Sequence, residues 1–378
     1  MEELPPSRTS DLLKARHRGT LSNRSGRYEA AQRVLADDGW GSLAGGWWSE
    51  DSAANQPPLQ TTVQPDASRS ILARNDSPDL PFDRSVNPYR GCEHGCAYCF
   101  ARPSHAWLGL SPGLDFETRL FSKPEAAALL EQAFRARTYR PAPLGLGTNT
   151  DPWQPVERKL GITRSVLTVL EAYQHPVAIV TKGAMITRDV DILARMAVRG
   201  LVLVCISITT LDPDLSRRLE PRASTPAARL KAVRVLSEAG VPVRINAAPM
   251  IPGLNDHELD AILGAGKQAG GRYAGAILLR LPQEVRSLFT EWLETHVPDR
   301  AGRVLSLIRQ CRDGDLNSAA FGDRMRGQGP LADLLWQRFR LAARRNGLLL
   351  TPPALRTDLF ACPPQKLHLK VGDQMALL

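Results

Sequence analysis

Three of the six cysteines in this 378-residue chain fall within eight residues, in Arg90-Gly91-Cys92-Glu93-His94-Gly95-Cys96-Ala97-Tyr98-Cys99-Phe100-Ala101-Arg102. Thiolates are preferred ligands of iron–sulfur clusters and of zinc. A cubane cluster takes four ligands, and this loop offers three, Cys92, Cys96 and Cys99. One iron would then lack a protein ligand. An open iron can bind and activate a molecule, as the open position of a catalytic zinc does. The competing reading adds His94 to the three thiolates as a structural zinc site. Zinc motifs usually bring ligands in two separated pairs, and the sequence has no second cysteine pair, which favours the cluster.

The C-x3-C-x2-C spacing, with an aromatic before the last cysteine, resembles the signature of the radical S-adenosylmethionine (radical SAM) superfamily. The resemblance implies a 4Fe–4S cluster on Cys92, Cys96 and Cys99, with the amino and carboxylate groups of S-adenosylmethionine on the fourth iron. It also implies that Tyr98 lies by the adenine. Reduction of the sulfonium, by an electron donor such as flavodoxin or ferredoxin, would release a 5′-deoxyadenosyl radical. Four further segments resemble the DNA-repair-photolyase-like subgroup, whose best-known relative is spore photoproduct lyase. They are Val86-Asn87-Pro88-Tyr89-Arg90-Gly91-Cys92, Cys99-Phe100-Ala101-Arg102-Pro103, Gly147-Thr148-Asn149-Thr150-Asp151-Pro152 and Thr181-Lys182-Gly183.

In parallel barrels the working residues sit just past the C-terminal ends of strands. Thr148, Asn149, Thr150 and Asp151 follow the second predicted strand, where radical SAM enzymes carry a glycine-rich segment for the amino group of the cofactor. Backbone carbonyls and the Asn149 or Asp151 side chain could accept the ammonium hydrogens here. The same residues could instead close an Asx turn. Lys182 follows the third strand and Ser207 lies near the end of the fourth. By resemblance to spore photoproduct lyase, they would hold the carboxylate end of S-adenosylmethionine. Arg222 is a second cationic candidate, or one half of an ordinary loop ion pair. His105 and Trp107 either line the substrate mouth or pack against the first helix. Spore photoproduct lyase uses an extra cysteine on the strand after the cluster loop to return a hydrogen atom to its product radical. Residues 141–151 contain none, and Cys205, Cys311 and Cys362 carry no motif that replaces it. Alternation along the fourth strand points Cys205 and Ser207 into the barrel, Cys205 the deeper.

Six strands are needed to position these residues, and six are predicted: 86–89, 143–147, 177–181, 201–208, 243–248 and 275–281. They alternate with helices over 124–137, 163–173, 188–198, 225–239 and 256–268, with Thr225-Pro226 at one start and Gly240 at its stop. This pattern is α/β with a parallel sheet covered on both faces. The radical SAM resemblance makes it a partial (β/α)6 TIM-like barrel over residues 85–285. Residues 286–378 form a helical C-terminal subdomain, with helices over 285–296, 300–310 and 330–346, a basic loop at Arg324-Met325-Arg326-Gly327 and a strand over 366–371. Residues 1–84 lack sustained periodicity and read as a loosely ordered N-terminal extension. A helix over 28–37 and docking by Trp40, Trp47 and Trp48 are its two candidate structures.

The net charge is +9, and residues 86–285 carry 24 basic against 18 acidic groups, residues 286–378 carry 14 against 9. The basic excess therefore lies on the barrel and C-terminal part, where a nucleic-acid partner could be held by its phosphates. Unpaired thiols, the absence of a signal-peptide core and the lack of any ~20-residue apolar run indicate a cytoplasmic protein without a membrane partner. The leading expectation is a radical SAM enzyme, a lyase acting on nucleic acid. The alternatives are radical SAM modification of a peptide, RNA or metabolite, and an iron–sulfur protein that binds nucleic acid without radical chemistry. Purified anaerobically, the protein should hold about one 4Fe–4S cluster by iron and sulfide analysis. Cys92→Ala, Cys96→Ala or Cys99→Ala should each remove the cluster with circular dichroism retained. Stoichiometric zinc without iron in the native protein overturns this.

Overall fold

The strand signals of the sequence resolve into two sheets in the computed structural model, which describes residues 18–29 and 59–364. Docking by Trp40, Trp47 and Trp48, most of the helix expected over 28–37 and the strand over 366–371 lie outside the described residues. The strands are β1 (Thr62–Pro65), β2 (Leu72–Arg74), β3 (Arg84–Val86), β4 (Tyr89–Arg90), β5 (Arg119–Ser122), β6 (Leu144–Leu146), β7 (Val177–Thr181), β8 (Val202–Ser207), β9 (Val243–Met250) and β10 (Tyr273–Leu278). Strands β3, β6, β7, β8, β9 and β10 lie side by side in chain order and all neighbours are parallel. Strand β2 adds antiparallel at the β3 edge. The connecting helices are α1 (Ala126–Phe134), α2 (Ile162–Ala172), α3 (Val190–Val198), α4 (Pro226–Glu238) and α5 (Leu259–Gln268). The expected six-unit partial barrel is present, and its end strands β10 and β2 do not pair with each other.

Both faces of β8 are buried, which is why it reads as an unbroken apolar run. Val202, Val204 and Ile206 face the helices, while Leu203 and Cys205 pack inside with Val180, Tyr273 and Leu355. Ser207 continues the inner series, as alternation requires. Helix α4 begins at its predicted cap, the Thr225 hydroxyl accepting the Ala228 N–H with Pro226 in the first turn.

The C-terminal helices are α6 (Val285–His296), α7 (Pro298–Gln310) and α8 (Gly329–Arg345). Leu335, Phe339 and Ala342 of α8 enter the same core as the barrel helices. Phe289 and Trp292 of α6 join Val304 and Ile308 of α7 in a second core, which also takes Ala97 and Tyr98 of the cysteine loop. Among the described residues no helix is long and apolar enough to cross a membrane.

Within residues 18–29 and 59–84, the described part of the N-terminal extension packs onto the barrel. Arg18, Thr20, Leu21 and Ser22 are buried, and β1 completes a small sheet in the order β1-β5-β4. Polar complementarity holds this segment: Gly19 N–H and Thr20 N–H each donate to the Glu117 carboxylate at 3.0 Å, and the Ser22 hydroxyl donates to Glu291 at 2.6 Å. The connection between β2 and β3 reaches into the open side of the barrel. Its Phe82 ring lies against Gly145 on the inner face, and its Asp79 carboxylate accepts from Arg324 Nε at 2.7 Å and also from Nη2.

His175, just before β7, is fully buried and stacks on Phe134 at 4.5 Å, with Nε2 2.6 Å from the Tyr139 hydroxyl. Burial pulls its pKa down to about 4, and does the same to buried His105. Both are neutral in the folded protein, while the unfolded chain binds protons as pH falls below about 6.5. Stability should therefore be intact above about pH 6.5 and decline from there to about pH 4, by up to roughly 3 kcal/mol per histidine. Urea melts across this range should show a shallower decline in His175→Phe than in the wild type, and identical declines would contradict the assignment.

Candidate active site

The cysteine loop runs from β4 into a 3-10 turn, Arg102–Leu108. Gly91 and Gly95 take φ of +76° and +65°, and a Cβ on Gly95 would lie 2.6 Å from the Glu117 carboxylate. Only glycine suits both demands. The loop backbone is fixed from outside. Fully buried Arg102 donates to the carbonyls of Cys96 at 2.9 Å, Pro112 at 3.1 Å and Gly113 at 2.9 Å, and to Glu117 Oε1 at 2.6 Å. Gln154, from the loop after β6, accepts the Glu93 N–H at 2.8 Å and donates to the Gly91 carbonyl at 3.3 Å.

Cys92 and Cys96 are buried, Cys99 is half-buried, and all three are free thiols. Burial pushes the Cys96 thiol up to about 12 and Cys92 well above its ordinary value. A metal takes these sulfurs as thiolates, so its binding displaces their protons. Among the described residues no three His, Cys, Asp or Glu side chains converge on a single metal ion. His94 Nδ1 faces Asp151 Oδ2 at 3.4 Å. A cluster spreads its thiolates over separate irons and needs no such convergence, so this donor set fits 4Fe–4S.

Beside the loop lies a buried charge network that the sequence reading missed, apart from Tyr98 and Lys182. The Glu220 carboxylate accepts from the Tyr98 hydroxyl, from Thr209 Oγ1 at 2.6 Å and from Arg229 Nη2, and Lys182 Nζ stands 3.9 Å from it. Lys182 Nζ also sits 5.6 Å over the Tyr98 ring. Burial would raise the Glu220 pKa, but Arg229 and Lys182 outweigh it and hold the carboxyl near 2. For Lys182, burial opposes the charge, and Cys96 and Glu220 more than compensate, leaving its pKa above the ordinary lysine value. The only sequence cue to Glu220 was its place two residues before Arg222.

The loop after β6 is shaped by its glycines. Gly147 takes φ +83°, and a Cβ there would meet the Val180 carbonyl at 2.2 Å; one on Gly183 would meet Trp153 at 2.7 Å. Asp151 closes the Asx turn, its Oδ1 accepting from Trp153 N–H at 2.9 Å and Thr181 Oγ1 at 2.7 Å, its Oδ2 from Lys182 N–H at 2.7 Å. Burial works against this charge, but His94 and these donors bring its pKa down to about 2. The Asn149 N–H donates to Asn87 Oδ1 at 2.9 Å, and Asn87 Nδ2 reaches Thr148 Oγ1 at 3.5 Å. Thr150 Oγ1 donates to the Tyr89 carbonyl at 3.1 Å. The structure thus brings Tyr98, Thr148, Asn149, Asp151, Lys182 and Ser207 to the inner, cysteine-loop end of the barrel, with the Ser207 carbonyl held by Arg229 Nη1 at 3.0 Å. Arg222 pairs with Glu93 of the cysteine loop at 3.0 Å, and its backbone N–H donates to the His94 carbonyl at 3.3 Å. His105 does not line a mouth: it is fully buried, edge-on to Phe116, with Nε2 2.9 Å from the Arg119 carbonyl. Trp107 is 70% exposed and packs on Tyr28.

A family model described as "Radical SAM superfamily" matches residues 86–265. An uncharacterized protein of Mycobacterium bovis is 37% identical over 233 residues, covering 61% of this chain and 68% of that protein. The chain belongs to the radical SAM superfamily. An uncharacterized protein of Methanocaldococcus jannaschii is 24% identical over 215 residues, covering 57% of this chain and 76% of that protein. Among solved structures, a cysteine-to-serine mutant of spore photoproduct lyase superposes with a TM-score of 0.57 at 15% identity, covering 76% of this chain and 80% of that one. Another mutant of that lyase, solved with bound AdoMet and dinucleoside spore photoproduct, gives 0.55 at 16% identity over the same shares. These likenesses establish the fold. Radical SAM membership brings a 4Fe–4S cluster and S-adenosylmethionine as cofactors, and the three free thiols fit the cluster.

Glu220→Gln would leave Arg229, whose side chain is only 1% exposed, without a counter-charge. The variant should lose about 3–5 kcal/mol of stability. Anaerobic urea unfolding measures this, and a loss below about 1 kcal/mol would show that the network does not depend on the carboxylate charge.

Proposed function

We propose that this radical SAM enzyme acts on a nucleic-acid substrate, as a lyase of the DNA-repair-photolyase-like kind. The observation that carries the reading is the rim beside the cysteine loop. Phe100 and Phe321 are exposed there, with Arg280 5.0 Å over the first ring and Arg324 4.8 Å over the second. Aromatic faces interleaved with arginine are what single-stranded nucleic acid is held by. The likeness of fold to spore photoproduct lyase supports the same substrate class.

In this reading Cys92, Cys96 and Cys99 ligate the cluster. Tyr98 would flank the adenine, and Lys182 with Ser207 would hold the carboxylate of S-adenosylmethionine. The Asp151 carboxylate already takes protein donors, so its part is to order the loop that offers Thr148 and Asn149 to the ammonium group. Arg222 steadies the cysteine loop through Glu93. When bound, the cofactors supply a 5′-deoxyadenosyl radical that takes a hydrogen atom from the substrate, with flavodoxin or ferredoxin as reductant. Cys205 lies deep on the inner face, Cys311 is in the core, and Cys362 Sγ rests against the Phe134 carbonyl at 3.6 Å. None of these thiols lies in the cysteine loop, so S-adenosylmethionine is consumed stoichiometrically if no other group returns that hydrogen. Arg324, grouped by sequence with Arg326 in a basic loop, is engaged by Asp79, which leaves Arg326 as that loop's phosphate candidate.

Reconstituted protein with S-adenosylmethionine and dithionite should form 5′-deoxyadenosine, and single-stranded DNA should bind with an affinity that falls steeply with salt. Lys182→Ala should weaken S-adenosylmethionine binding by on the order of 2–5 kcal/mol in equilibrium dialysis while the cluster absorbance persists. An unchanged dissociation constant removes Lys182 from the site. No retention of DNA or RNA at low salt favours a peptide or metabolite substrate.

A further inference from the structure

Arg280 follows the C-terminal end of β10, where parallel barrels place working residues. Its guanidinium lies over the ring of Phe100, the residue after Cys99. Among the described residues its Nε is buried without a hydrogen-bond partner, and its Nη1 meets only the Met325 sulfur, at 3.8 Å. The charged groups around it are Arg324, Arg312 and Asp79. Asp79 is the one carboxylate among them, and Arg324 and the Gly322 N–H already occupy it. Arg312 is turned toward the carbonyls of Leu278, Leu279 and Asp323. Burial, and then the two neighbouring arginines, pull the Arg280 pKa down to about 10. This is a cation short of counter-charge. A buried charged donor without a partner is unfavourable, and such groups are kept where a ligand completes them.

We propose that Arg280 is a substrate contact, taking a phosphate group of a nucleic-acid chain at the open side of the barrel. The assignment rests on the nucleic-acid reading above. The guanidinium would offer its two Nη groups to two phosphate oxygens, a geometry that lysine does not reproduce. Phe100 holds the plane of the fork by its ring face. Because Phe100 directly follows Cys99, a phosphate held there fixes which nucleotide stands before the cofactor. Arg280 is thus a positioning contact for the strand.

The test compares anaerobically reconstituted wild type, Arg280→Gln and Arg280→Lys, titrated with a short labelled single-stranded oligodeoxynucleotide across a salt series. Arg280→Gln should bind about tenfold more weakly at low salt, and its salt slope should fall by about 0.7. Arg280→Lys should recover the slope but not the full affinity. Cluster absorbance and urea melts report whether each variant is folded. Wild-type affinity and slope in folded Arg280→Gln overturn this assignment and leave the nucleic-acid reading standing. Failure of the wild type to bind at low salt overturns both, beginning with that reading. A second measurement needs no variant: neutral methylphosphonate linkages are placed one at a time along the oligonucleotide and titrated against the wild type. One position should cost about tenfold in affinity, and equal losses at every position overturn the assignment.

Discussion

A loop that presents three thiolates to one cluster has few side chains left to hold itself in shape, and the surrounding protein must do so through the loop's backbone. Arg102 and Glu117 are the centre of that support. Both side chains are 0% exposed, so the pair is stabilising only if nearly every donor and acceptor is matched. Arg102 has three carbonyls and the Glu117 carboxylate; Glu117 has Arg102, two backbone N–H groups and the Thr20 hydroxyl. The pair fixes geometry as well as charge, because a hydrophobic replacement of equal shape would orphan these buried backbone groups and could not grip the Cys96 carbonyl.

The same support explains the N-terminal segment. A Cβ on Gly19 would fall 1.4 Å from the Gly95 carbonyl oxygen, so backbone meets backbone there. The segment closes the outer side of the cysteine loop and supplies Glu117 with three of its donors. On the opposite side, the barrel's unpaired end strands would leave the inner face open to water. The β2–β3 connection fills part of that gap with Phe82, and the bidentate Asp79–Arg324 pair ties it to the chain that follows α7.

Much of the frame was legible in the sequence. Strands buried on both faces appear as apolar runs, and β7 matches its predicted bounds of 177–181 residue for residue. The cysteine spacing and the strand ends named Tyr98, Lys182 and Ser207, which the fold brings to one end of the barrel. The clamps were not legible, because their partners are far apart in sequence and carry no period. Glu117 and Thr20 stand 97 residues apart, and Gln154 and Glu93 stand 61 apart. His105 misled for a related reason: a histidine beside a cysteine motif suggests chemistry, but the aromatic cage of Phe116 and Phe121 is visible only after folding.

The charge balance within the barrel gives a physical reason for Lys182 being where it is. One carboxylate, Glu220, stands between two cations, and the nearer one, Arg229, takes its hydrogen bond. Lys182 lies 3.9 Å away, outside good hydrogen-bonding distance, and its second neighbour is the face of Tyr98. Within the trio two cations face one carboxylate, an excess of one positive charge that Cys96 helps to balance where screening by water is weak. Replacing Arg229 with a neutral residue would satisfy Lys182 with Glu220 and erase that charge. Keeping both cations leaves Lys182 ready for one more anion at the inner end of the barrel. Under the proposed function, that anion is the carboxylate of S-adenosylmethionine.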